Sequence, residues 1–156
     1  MYIRKLLDDE YDKVIKLIYD SVHTVCQKDY SREELDAWAP DNFDVIKFQR
    51  ALDGCLNLVA FEKEQIVGFI SMEKTGYINR LYTHRLFLCR GIASSLLKRA
   101  EEWAKAHGVH ELSLDSSKTA KDFYIKMGFC DSGISVTNHR GVIFRNTVMK
   151  KVLKGE

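Results

Sequence analysis

The sequence predicts one mixed α/β domain, a sheet with helices packed on both faces. Two patterns carry that expectation. Strand-like runs are interleaved with amphipathic helical stretches, and the chain ends on a pair of strands. The length of 156 residues is close to the commonest size for a single domain. No internal repeat, low-complexity tract or linker divides it, and Pro40 is the only proline.

The elements follow in order. MYIRKL reads as a short strand, and Asp8 and Asp9 offer N-caps for a helix with apolar positions at Val14, Leu17, Ile18, Val22 and Val25. Ser31 and Glu34 have capping-box spacing and start a short helix that stops at Trp38-Ala39-Pro40. A third helix is expected over Phe43 to Leu52, ending near Gly54. LNLVAFE, QIVGFISME and GYINRLYT are strands, separated by a turn at 63 to 65 and by the Gly76 region. In LFLCRGIASSLLKRAEEWAKAHG the stripe Ile92, Ala93, Leu96, Leu97, Ala100, Trp103 and Ala104 marks a helix that Gly108 ends. ELSLD alternates as a strand, KTAKDFYIKMG reads as a helix closed by Gly128, and strands cover roughly 130 to 137 and 140 to 149.

Hydrophobic residues make up 46% of the chain and charged residues 29%, enough for a real core in a soluble protein. With 24 basic and 22 acidic side chains the formal charge is +2, too mild for a polycationic role. MYIRKLLDDEYDK has acids where a signal peptide needs an apolar core, and IVGFISM is too short to span a bilayer. Cys26, Cys55, Cys89 and Cys130 are widely spaced and read as reduced thiols. A cytoplasmic protein without a membrane segment is expected. His107 and His110 flank Gly108 at a helix end and read as surface histidines, so no metal is expected.

The helix start at Gly91 is the first candidate site. A helix N-terminus carries unpaired N–H groups and partial positive charge, which favour an anion. Glycine lets the backbone come close, and the small Ala93 extends that access. From Lys74 to Ala100 the chain has Lys74, Arg80, Arg85, Arg90, Lys98 and Arg99 with no Asp or Glu, which suggests a ligand with several phosphates. Neither G-x-x-x-x-G-K-[ST] nor G-x-G-x-x-G is present. A nucleic-acid footprint would need an exposed basic stripe, whereas Leu86, Phe87 and Leu88 in its middle are expected to pack inside, so no nucleic acid is expected.

The stretch LYTHRLFLCRGIASSLL, directly after a strand, resembles motif A of the GNAT acyltransferase superfamily, Gln/Arg-x-x-Gly-x-Gly/Ala, here Leu88 to Ala93. AKDFYIKMGF at 120 to 129 resembles the family's Ala-x-x-Phe-Tyr-x-x-x-Gly-Phe. The resemblance runs from about residue 2 to 150. It implies a splayed, mostly antiparallel central sheet of about 6–7 strands flanked by helices, and acetyl-CoA as co-substrate of an N-acyltransferase.

In such a protein the pyrophosphate rests on backbone N–H groups of the turn, here Cys89, Arg90, Gly91, Ile92, Ala93 and Ser94. The pantetheine runs along the preceding strand at Leu81, Tyr82 and Thr83. Leu88 stands where the family has Gln or Arg, and the missing charge-assisted hydrogen bond is worth about 1.5–3 kcal/mol. Arg85 stands at a frequent proline and Cys89 at a frequent glycine. Ser117 takes the place of an asparagine that commonly holds the pantetheine.

Tyr124 matches the family tyrosine near the CoA sulfur and is the expected general acid. The oxyanion would meet a backbone N–H near Leu81 or Tyr82. Glu73, at a strand end, and His23, on the first long helix, are the two candidates for the base. HTVCQKDYSREELDAWAP resembles a subgroup with Asp-Tyr-Ser and Ala-Trp-Ala-Pro in the acceptor region, so Tyr30 and Trp38 are expected at the acceptor site. A small-molecule amine is the expected acceptor. The alternative is a regulatory GNAT-like module that binds CoA without turnover. Val142, Ile143, Phe144, Val148 and Met149 in the last strands could support a homodimer.

Overall fold

The computed structural model describes residues 1–154. The chain forms β1 (Tyr2–Lys5), α1 (Tyr11–Val25), α2 (Arg32–Trp38), α3 (Val45–Leu52), β2 (Leu56–Glu62), β3 (Gln65–Met72) and β4 (Ile78–Thr83). A single 3-10 turn at Arg85–Phe87 leads into α4 (Ile92–Ala106), then β5 (Glu111–Ser116), α5 (Lys121–Lys126), β6 (Cys130–His139) and β7 (Val142–Val152). All strand pairs are antiparallel, in two sheets of order β1-β2-β3-β4 and β5-β7-β6.

Helices start and stop where local chemistry dictates. Ser31 and Glu34 form the capping box of α2, and Asp44 caps α3 by accepting the Lys47 N–H at 3.0 Å. Asp8 and Asp9 do not cap α1; Glu10 occupies the N-cap position without a capping bond of its own. Its carboxylate turns back to Arg4 at 2.7 and 2.8 Å and to the Leu7 N–H at 2.9 Å, tying β1 to the helix start. Of the three acidic residues, the one that reaches the Arg4 guanidinium takes the site, because a bidentate pair is stronger than a single cap bond. The β2–β3 turn is the pair Lys63-Glu64, both at positive φ, so Gln65 already belongs to β3.

The two sheets meet at one point. Ser113 N–H donates to Gly76 O at 3.1 Å, and Tyr77 makes an isolated parallel bridge with Ser113. Gly76 sits at φ +97°, and a Cβ there would stand 2.4 Å from Glu111 O. Only glycine permits both that conformation and that approach. Beyond this contact β4 and β5 are not hydrogen-bonded to each other, and a wedge opens between them.

Each side of the sheets carries its own core. On one side α4 lays Leu96, Leu97, Ala100 and Ala104 against β2, β3 and β5, with Leu112, Leu114 and Met149 beside them. On the other, Val14, Leu17, Ile18 and Val22 of α1 pack with Leu35, Phe48 and Leu52 against Val59 and Phe69. Truncating a fully buried leucine such as Leu96 to alanine costs about 2–5 kcal/mol. Behind α4, Lys151 Nζ of β7 donates to Glu101 Oε1 and to Met127 O, both at 2.7 Å. Cys26 is buried, Cys89 and Cys130 are exposed, and all four cysteines are free.

Gly76→Ala is expected to lose about 2–4 kcal/mol of stability in urea titration, because strain and a backbone clash act together.

Candidate active site

The wedge between β4 and β5 is a cavity of about 480 Å³, bounded by the α4 turn and by α5. Leu81, Tyr82 and Thr83 form its strand wall. His84 N–H donates to Val67 O at 2.8 Å, and Tyr82 lies opposite Phe69 in the same register. That alternation turns the N–H groups of Leu81 and Thr83 away from β3 and into the wedge, whereas the Tyr82 N–H faces β3. The oxyanion donor expected at Leu81 or Tyr82 therefore has one geometric candidate, Leu81.

Leu88, Cys89, Gly91, Ile92, Ala93 and Ser94 line the end of the wedge. Gly91, at φ +79°, is the N-cap of α4, and no side chain caps the helix. The first intrahelical bond runs from Ser95 N–H to Gly91 O at 3.0 Å, and the Ser94 hydroxyl also donates to Gly91 O at 3.1 Å. The N–H groups ahead of Ser95 are thus left facing the cavity, a ready nest for an anion. Cys89 adopts φ +60°, which costs a non-glycine residue about 1–2 kcal/mol.

Arg90 does not line the wedge; its guanidinium lies over the Phe87 ring, 5.1 Å from the centroid. The acid-free run does not form one surface either. Arg85 lines a separate cleft beside α1, Lys98 and Arg99 lie near β1, and Arg80 faces the α3 side. Leu86 and Leu88, expected inside, are exposed; only Phe87 packs partly against the core. They sit in the tight turn before Gly91, which is too short to fold three consecutive apolar side chains inward.

Across the wedge Ser117 accepts the Ala120 N–H at 3.2 Å and so shapes the entry to α5. One turn later Tyr124 is buried, 6% exposed, and its hydroxyl has no protein hydrogen bond among the described residues. Burial, with a smaller effect from nearby Tyr82, pushes its phenol well above the usual tyrosine range. Tyr124 also lines a smaller cavity of about 80 Å³ on the far side of the strands. Among the described residues Asp115 is the one carboxylate there, each oxygen accepting one hydroxyl, Tyr77 at 2.6 Å and Ser135 at 2.7 Å.

That small cavity shares Trp38, Arg80 and Tyr82 with a third, of about 270 Å³, under α3 and the β6–β7 turn. Trp38 Nε1–H donates to the Tyr82 hydroxyl at 3.1 Å, forming the partition between them. Burial of the Tyr82 ring pushes its pKa up to about 12, so it stays a neutral phenol. Wedge, small chamber and outer chamber thus adjoin through Tyr82.

The other expected residues lie elsewhere. Tyr30 is buried among Trp38 and Phe144, and its hydroxyl accepts the Lys118 N–H at 2.9 Å. With Asp29, which accepts the Thr119 hydroxyl at 2.7 Å, it holds the β5–α5 loop in place rather than lining a cavity. His23 stacks on Tyr19 and bonds Ala39 O through Nε2 at 2.7 Å, so its ring is engaged in fixing the end of α2. Glu73 lies in the β3–β4 hairpin turn, where its N–H donates to Tyr77 O at 2.8 Å. It is five residues along β3 from Gly68, the partner of Thr83, or roughly 16 Å from that end of the wedge. Neither base candidate borders any of the three cavities.

A family model described as an acetyltransferase (GNAT) domain matches residues 26–153. The chain belongs to the GNAT acetyltransferase family. It is 29% identical over 148 residues to the protein called Uncharacterized N-acetyltransferase YafP of Escherichia coli K12, covering 95% of this chain and 93% of that one. A crystal structure of a GCN5-related N-acetyltransferase from Rhodopseudomonas palustris superposes with a TM-score of 0.94 at 30% identity, over 97% of this chain and 95% of the other. The PaiA N-acetyltransferase of Thermoplasma acidophilum, solved in complex with coenzyme A, shares the fold with a TM-score of 0.78 at 23% identity, over 97% and 98%.

The protein is therefore an N-acetyltransferase built on a GNAT sheet that splits between β4 and β5. Asp115 of this acetyltransferase went unnoticed in the sequence, and Arg80 was seen only as one member of the acid-free basic run. The signal available for Asp115 was its place in ELSLD, on the face opposite Leu112 and Leu114. Among the described residues no group of three metal-ligating side chains occurs, and no helix is long and apolar enough to cross a membrane.

Tyr30→Phe is expected to lower stability by about 1 kcal/mol in chemical denaturation, since the Lys118 N–H loses its acceptor.

Proposed function

We propose that the chain transfers the acetyl group of acetyl-CoA to the primary amine of a small molecule, by direct attack, with Tyr124 as general acid. The observation that carries this reading is buried Tyr124, its hydroxyl without a hydrogen-bond partner among the described residues, on the wall common to the wedge and the small chamber. Coenzyme A bound to the Thermoplasma relative supports the same ligand for the wedge. The nest ahead of Ser95 suits a pyrophosphate, and the N–H groups of Leu81 and Thr83 suit an extended pantetheine.

The amine nitrogen attacks the thioester carbon from the small chamber, and negative charge develops on the carbonyl oxygen. The Leu81 N–H is aimed to stabilise that oxygen. As the C–S bond breaks, Tyr124 gives its proton to the departing thiolate. The proton released from the new amide nitrogen returns to the tyrosinate. Before attack the acceptor must be neutral, and Asp115 is the group suited to orient its ammonium while water removes the proton. The outer chamber's modest volume supports a small acceptor over a protein lysine.

Tyr124→Phe is expected to lower kcat at least tenfold in a thiol-release assay over an amine panel, with acetyl-CoA affinity within twofold by calorimetry. Full activity in that variant removes the acid role. Because the phenol is pushed up from its usual value near 10, kcat/KM is expected to rise with pH as the amine deprotonates, with no falling limb below about pH 10. A falling limb below that pH, abolished in Tyr124→Phe, would contradict the protonation state.

A further inference from the structure

We infer that the acceptor is an amine that also carries an anionic group, a carboxylate or a phosphate, held in the outer chamber by Arg80, Lys47 and Arg140. The inference rests on the acceptor route proposed above and names the class of molecule that follows it.

The chamber of about 270 Å³ draws one cation from each of three elements: Lys47 from α3, Arg80 from β4 and Arg140 from the β6–β7 turn. Against them stands one carboxylate among the described residues, Asp44, already occupied in capping α3 through the Lys47 N–H. His139, also on the wall, adds no charge near neutral pH, because burial and then Arg140 hold its imidazole below the usual histidine range. None of the three cations makes an ion pair among the described residues, although Arg4, Arg32, Lys121 and Lys151 each do elsewhere.

The two guanidinium groups are held by other means. Arg80 lies over the Phe48 ring, 5.2 Å from its centroid, and Arg140 Nη1 donates to Ala37 O at 2.7 Å. Both are thereby oriented with donors to spare, the arrangement that suits planar oxyanions. Arg80 borders both chambers, so the anion site adjoins the space that contains Asp115. An acceptor with its ammonium at Asp115 and its anion at Arg80 meets opposite charge at both ends. A diamine would set its second ammonium among three cations.

Matched acceptors test this. Ethanolamine phosphate against ethanolamine, and β-alanine against its amide, are compared by kcat/KM with acetyl-CoA, with 1,4-diaminobutane as the opposite case. The anionic member of each pair is expected to be preferred at least tenfold and diaminobutane to be poorest. Arg80→Gln and, separately, the exposed Lys47→Gln are expected to shrink that preference severalfold while acetyl-CoA affinity is kept.

A second measurement does not need turnover. Inorganic phosphate is titrated into CoA-loaded protein and followed by tryptophan fluorescence, since Trp38 borders the chamber; saturable binding is expected and should weaken at least tenfold in Arg80→Gln. Equal or better turnover of neutral amines or diaminobutane, or phosphate binding that is absent or indifferent to Arg80→Gln, overturns the inference while leaving acetyl transfer intact. If no amine is acetylated although acetyl-CoA and phosphate both bind, the small-amine reading fails and the anion site stands.

Discussion

The approach of Gly76 to Glu111 decides the rest of the molecule. Two antiparallel sheets are joined by a hydrogen bond from Ser113 to Gly76 and a single bridge at Tyr77, then separate. Had β4 continued to pair with β5, the N–H groups of Leu81 and Thr83 would be spent in a ladder. Because they diverge, the strand edge is left with backbone groups that must find a partner outside the protein. The same separation lets Tyr124 reach both faces of the sheet from a short helix. A backbone contact with room for no side chain thus opens a cavity several residues away.

Two further constraints turn that opening into a site. The Gly91 turn directs the uncapped end of α4 at one end of the wedge, and the Trp38–Tyr82 bond divides the two chambers beyond it. The contacts of Asp29 and Tyr30 with the β5–α5 loop set where α5 begins, and so where the Tyr124 hydroxyl stands. The α1–α2 segment thus bears on the wedge by positioning another element. Its aromatic residues support the wall more than they form it, Trp38 being the exception.

Much of the fold was legible because its signals are periodic or local. The strand LNLVAFE, the capping box at Ser31 and the apolar stripe of α4 each follow from neighbouring residues alone. The wedge-lining residues were legible through two motifs joined to the physics of a helix end. What escaped depends on distance in space. Glu10 outcompetes Asp8 and Asp9 through Arg4, a contact between elements. The acid-free run suggested a ligand with several phosphates, yet strand alternation and a change of element send Arg80, Arg85, Arg90 and Lys98 to different faces. Glu73 and His23 were plausible bases by residue type, but a hairpin turn and a bond to Ala39 occupy them elsewhere. The cations of the outer chamber come from residues 47, 80 and 140, with no local pattern to join them.

Lys151 gives the back of the molecule a property of its own. Its ammonium joins Glu101 on α4 to the carbonyl of Met127 at the end of α5, so the two helices that flank the opening are tied by one charged group. The aperture is fixed at the hinge by a glycine and behind the helices by a lysine. Spreading it would cost that tie as well as core contacts. The separation of α4 from the end of α5 is therefore held from the back of the molecule, by an ion pair that lies outside the opening it sets.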